Sequence, residues 1–175
     1  MGYNPAMLRL ADRIDRLTTA IGRGAAWLVL VVVLVQFLVV LLRYLFGTGS
    51  IRLQDSIVYA HALAFLFAAA WALKIGAHVR VDIFYRDASP RVRALIDLLG
   101  AIFLLLPVAG LILWVSLPYV SRSWAILERS QETSGLPFVF LLKAAIPLFA
   151  VLLILQGLAE IARAADALRE RERNS

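Results

Sequence analysis

The sequence contains no cysteine, which excludes disulfides, thiol chemistry and thiolate-held metals. It is also poor in charge. Asp, Glu, Lys and Arg make up 17% of its 175 residues, against about 25% in soluble domains. No acid stands in the middle of an apolar run. A Gly-rich phosphate loop, a G-x-S-x-G elbow and an H-E-x-x-H pair are all missing, and with them the sequence signals of nucleotide hydrolysis, serine hydrolysis and zinc proteolysis. What is present is apolar: 62% of residues are hydrophobic and the mean hydropathy is +0.82. A soluble domain of this size could not hide that much apolar surface, and a disordered chain would not carry it. The composition predicts an all-α integral membrane protein.

Four apolar runs are long enough to cross a bilayer, at about 20 residues per crossing. They cover residues 24–45, 54–74, 97–121 and 136–160. The charge-free part of the first, 24–42, lies between Arg23 and Arg43, too long and too evenly flanked for a cleaved signal. Lys and Arg number thirteen in the N-terminal segment, the middle connection and the C-terminal tail, and five elsewhere. The positive-inside rule then predicts an N-in/C-in topology with the middle loop in the cytoplasm. The net charge of +6 fits basic loops beside anionic lipid and implies no nucleic-acid partner. Within residues 6–22, Leu10, Ile14, Leu17 and Ile21 share one side with Leu8, Ala11 and Thr18. Arg9, Asp12, Arg13 and Arg16 take the other. This predicts an N-terminal amphipathic interfacial helix. Residues 161–175 read as a cytoplasmic tail, a solvated helix end.

Four spans are few for a self-sufficient carrier built from paired repeats. They suit an autonomous homo-oligomeric small carrier, a b-type haem membrane subunit, or one subunit of a larger complex. His61 and His78 would differ in depth by about 25 Å on one helix, a poor axial pair for haem. His61 reads more simply as a polar packing residue. No cofactor and no metal site is indicated. Asp55, Asp97, Glu128, Glu132 and Glu160 all fall at helix ends or in loops, whereas a proton-coupled carrier keeps an acid near a helix centre. Lys143 stands about 10 Å inside the fourth run, close enough to snorkel outward toward Glu128 or Glu132. Pro107, Pro118 and Pro147 should bend their helices. Ala60, Ala64, Ala68 and Ala72 form a small-residue seam, which predicts a central second helix. The bulky first run, VLVVVLVQFLVVLL, predicts a peripheral one.

The order of these features resembles the DctQ-like small membrane subunit of tripartite ATP-independent periplasmic (TRAP) transporters. Arg43-Tyr44 closes the first span and Asp55 opens the second. The stretch reads RLQDS where the family usually carries Trp and Glu. Lys74, Gly76, His78, Val79, Val81 and Asp82 follow the family's Gly-x-His-hydrophobic-x-Val-Asp pattern, and Pro90, Arg91 and Arg93 precede the third span. Trp124, Glu128, Ser130, Glu132, Gly135, Leu136, Pro137, Lys143, Pro147, Gln156 and Gly157 come in the order of one branch of the family. The resemblance covers about residues 20 to 165 and implies a multi-pass protein of the bacterial inner membrane. Its partners would be a large membrane subunit and a periplasmic substrate-binding protein. Its role would be to scaffold the large subunit for sodium-gradient-driven, binding-protein-dependent uptake of a small organic acid or related solute. It implies no catalytic residue. Arg43, Tyr44, Arg52, Asp55, His61, His78, Asp82, Glu128, Glu132 and Lys143 are the candidate contacts with those partners.

Overall fold

The computed structural model describes residues 5–77 and 88–173. Its helices are α1 (Pro5–Phe46), α2 (Ile51–Lys74), α3 (Pro90–Gly100), α4 (Leu106–Ala125) and α5 (Val139–Arg173), with a π-helical turn, Ala101–Leu105, joining α3 to α4. Among the described residues there is no strand. Four helical stretches are long and apolar enough to cross a membrane: Met7–Phe46, Ile51–Lys74, Pro90–Ala125 and Val139–Leu168. The all-α, four-span architecture read from the sequence therefore holds.

The N-terminal segment differs from expectation. Residues 6–22 do not form a helix of their own; they are the first third of α1, which runs unbroken through Arg23 and Gly24. No proline lies there to stop it, and the two helix-interior glycines, Gly22 and Gly24, cost only about 1 kcal/mol each. The apolar side of this segment is split. Ala11 and Ile14 pack on Ala159 and Ala162 of α5, with Leu155 beside them. Met7, Leu10 and Leu17 stay exposed.

A short turn at residues 47–50 folds α2 back along α1, and the Leu53 amide donates to the Ser50 hydroxyl at 3.4 Å to cap α2. Gly22 sets how closely the two helices approach at their far end. A Cβ there would run into the Trp71 side chain. The third span starts seven residues earlier than its apolar run, at Pro90, because Ser89 caps it by accepting from the Val92 amide. The π turn sits immediately before Pro107, which has no N–H to donate. The Leu106 amide reaches back to the Ala101 carbonyl, and the helix absorbs the proline without ending.

The sequence predicts a central second helix, but the helix that packs against all the others is α5. It buries Ala145, Ala150, Ala159, Ala162 and Ala164, small residues that let neighbouring backbones approach. Leu152 and Leu153 of α5 form a core cluster with Ala70 of α2 and Ala109 of α4. The α2 seam is partial: Ala60 and Ala64 are buried, while Ala68 and Ala72 are half-buried. Helix α1 is peripheral, with Trp27, Leu34, Phe37 and Leu45 among its exposed side chains.

Candidate functional site

Polar side chains gather at the two ends of the bundle. At the end holding the 47–50 turn, the chain leaves α4 through Leu127, whose φ of 46° is left-handed. That conformation costs a bulky residue about 1–2 kcal/mol. The Glu128 amide closes back onto the Ser123 carbonyl at 3.0 Å. The strained turn aims Glu128 at α5, where Lys143 Nζ donates to its two carboxylate oxygens at 2.7 and 2.5 Å. The same ammonium lies 4.2 Å from the centre of the Tyr119 ring. Trp124 and Phe140 meet edge-to-face 4.9 Å apart and join the same two helices.

The loop is fastened a second time to α2. Asp55 Oδ2 accepts the Leu136 amide at 2.8 Å. The Ser130 amide donates to the Leu136 carbonyl at 3.2 Å, and the Gly135 amide to the Glu132 carbonyl at 2.9 Å. Position 135 must be glycine for this closure, since a Cβ would lie 2.7 Å from Asp55 Oδ2 and closer still to Ser130. Between the loop and the start of α2 opens a cleft of about 720 Å³, lined by Arg52, Arg129, Glu132, Thr133, Pro137 and Phe138 among others. Lys143, as a hydrogen-bond donor, holds the Glu128 carboxyl below the usual carboxylate range.

Of the candidate contacts, the structure brings Arg52, Asp55, Glu128, Glu132 and Lys143 together in this clasp and cleft. The partner of Lys143 is Glu128. Arg43 and Tyr44 are exposed at the end of α1, and His61 is exposed partway along α2. His78 and Asp82 lie outside the described residues. Among the described residues, no three His, Asp or Glu side chains converge as a metal site would require.

The opposite end holds a network that the sequence reading missed. Gln156 of α5 is fully buried; its Nε2 donates to Asp15 Oδ1 and to Glu160 Oε1, both at 3.1 Å. Its Oε1 lies 2.9 Å from the buried Thr18 hydroxyl. Arg163 reaches Asp15 at 2.5 Å and Glu160 at 2.9 Å. Lys74 of α2 donates to the Thr19 hydroxyl at 2.8 Å and stands 3.7 Å from Asp15 Oδ2. Two carboxylates and two cations thus balance within one network joining α1, α2 and α5. A signal existed: Gln156, Glu160 and Arg163 follow at spacings of four and three, one face of a helix. Their partners lie about 140 positions away and could not be read from local pattern.

The chain matches the family described as tripartite ATP-independent periplasmic transporters, DctQ component, over residues 31–167. Comparison with curated proteins and with solved structures gave no match. The family is one of transporter components rather than enzymes, and the matched stretch takes in the C-terminal part of α1 from residue 31, all of α2 to α4 and most of α5. A match of that extent, over helices of membrane-crossing length, means that this chain belongs to the DctQ family, the small membrane components of the tripartite ATP-independent periplasmic transporters.

Proposed function

We propose that this chain is an accessory subunit of the bacterial inner membrane. It braces a large membrane subunit during sodium-gradient-driven uptake of a small organic acid or related solute, which a periplasmic binding protein delivers. The observation that carries this reading is where the polar groups lie. A clasp occupies one end of the bundle and a charge-balanced network the other. Between them, among the described residues, no polar side chains converge within the bundle. A carrier must replace the water around its solute, and needs such a cluster to do it. Coupling ions and solute then belong to the large subunit, and this chain supplies rigidity.

The proposed topology places both termini in the cytoplasm and the clasp in the periplasm, following the basic-residue asymmetry. The exposed Met7, Leu10 and Leu17 suit contact of the 6–22 segment with cytoplasmic headgroups. The chain has no native cysteine to interfere with labelling. Cysteines placed at Ser50 and Gln131 should react with an impermeant reagent added from the periplasm, and one at Ala88 should not; the reverse pattern would invert the topology.

Function is tested by reconstitution. The chain alone, the large subunit alone and the pair are each placed in liposomes with the binding protein and a sodium gradient. Full uptake is expected only from the pair. Sodium-driven uptake by this chain alone would refute the accessory role, and full uptake by the large subunit alone would show that the chain is dispensable.

A further inference from the structure

We infer that the outward face of the α1–α2 hairpin around Gln36 and His61 is covered by a helix of the large membrane subunit that presents a hydrogen-bonding side chain. This rests on the accessory-subunit reading and adds the surface through which it works. Gln36 stands ten residues before the end of α1, and His61 ten residues after the start of α2. At 1.5 Å per residue, both lie about 15 Å from the 47–50 turn, near the middle of a hydrocarbon layer of about 30 Å. Both side chains are exposed and neither has a partner among the described residues. His61 points away from the core for a geometric reason. It is nine residues from Ala70, two and a half turns, and Ala70 is in the core cluster with Leu152 and Leu153.

The other outward faces are different. Between Ile102 and Leu117 the exposed residues of the third span are apolar apart from the indole of Trp114, with Phe103, Leu111 and Val115 as examples. The exposed positions of α5 between Leu141 and Leu158 are apolar as well, among them Leu148 and Val151. Lipid suits those faces. An amide and an imidazole at mid-depth would be left unpaired in lipid, at a cost that interhelical hydrogen bonds remove. Both groups donate and accept, so a hydroxyl, amide or carboxyl on a facing helix satisfies them. Their exposed neighbours, Val58 and Phe65 on α2 and Val33 and Phe37 on α1, are bulky. They do not offer the small-residue approach by which a second copy of a hairpin usually packs on itself. The family is one component of a tripartite transporter, and the accessory-subunit reading supplies the large membrane subunit as occupant.

The test uses the complex as co-expressed with its large subunit. A photoreactive phenylalanine analogue is placed singly at positions 36, 61, 103 and 148, and the products are sized after illumination. Adducts with the large subunit are expected at 36 and 61 and not at 103 or 148. A paired variant, Gln36→Leu with His61→Leu, should lower the co-purified large subunit at least tenfold with helix content unchanged, while His61→Gln should retain it. Adducts at only the control positions, an adduct of twice this chain's mass, or no adduct at 36 and 61 in a complex that still co-purifies would each overturn the inference and leave the accessory role standing. If the unsubstituted chain brings down no large subunit, the accessory role fails, and this inference with it.

Discussion

Asp15→Ala is expected to destabilise the helical bundle by about 3 kcal/mol, the low end of the range for removing one partner of a buried ion pair. Asp15 is the hub of the network between α1, α2 and α5, with its side chain 16% exposed. It accepts from Gln156 and pairs with Arg163 and Lys74, which are only about a third exposed. Without the carboxylate, both cations stay in place and Glu160 alone is left to balance them. Gln156→Leu should cost less, about 1–3 kcal/mol, because the two carboxylates it serves, Asp15 and Glu160, both keep Arg163 as a partner. Thr18 would still reach the Ile14 carbonyl at 3.1 Å. Asp15→Asn should fall between the wild type and Ala, since it keeps one acceptor. Unfolding midpoints in detergent micelles check all three. A change within about 0.5 kcal/mol for Asp15→Ala, the range of ordinary surface substitutions, would show that the network contributes nothing to holding α1 on α5.

Lys143→Met should lower uptake by the assembled transporter about tenfold and leave solute preference unchanged. The ammonium is the only cation paired with Glu128 among the described residues, and it ties the 126–138 loop to α5. Methionine keeps the aliphatic stem and removes the charge. Glu128 then loses its charged donor, while the Asp55 contact still fastens the loop to α2. Glu128→Gln should produce a smaller effect in the same direction. The paired variant should be no worse than Lys143→Met alone, because neither substitution can then strand a charge. Acid should mimic the lesion. The folded-state pKa of Glu128 lies below its usual value of 4.5. The contribution of the clasp is therefore complete above that value and is lost as pH falls through the lowered one. At neutral pH the clasp is insensitive to small pH changes. A changed solute preference with normal complex yield would mean that Lys143 reads the solute and does not hold the loop.

The spans were legible because hydrocarbon imposes one strong constraint, about 20 apolar residues per crossing, and the sequence meets it four times. The clasp was legible in part for the same reason. A lysine inside an apolar run needs an acid, and Glu128 and Glu132 were the nearest. The run alone could not choose between them; the left-handed turn at Leu127 does, and no sequence rule predicts a leucine there. Helix α1 was misjudged because amphipathic and fully apolar patterns were taken as separate elements, although the glycines between them, Gly22 and Gly24, do not end the helix. The hub was misjudged because the alanines of α2 recur every fourth residue and stand out, whereas those of α5 are irregularly spaced. The network around Gln156 escaped altogether, since Thr18 looks like a tolerated polar residue on an apolar side until its partner across the bundle is known.

The pairing of Asp15 with Gln156 also has a consequence in time. The two residues are separated by 141 positions. At elongation rates of about 5–20 residues per second, α1 emerges roughly 7–30 s before the group that will satisfy its buried polar face. During that interval Asp15 and Thr18 have no α5 to meet and must remain hydrated, whereas Thr19 waits only for Lys74 of α2. The wide apolar band of the same segment, including the leucines at 10 and 17 that α5 never covers, gives it a reason to wait at the membrane surface. Closure of the bundle is thus a late event in biogenesis, set by the arrival of the last helix, and a chain cut short before Gln156 would keep the Lys74 contacts of α1 with α2 but lack the buried bonds that hold α1 on α5.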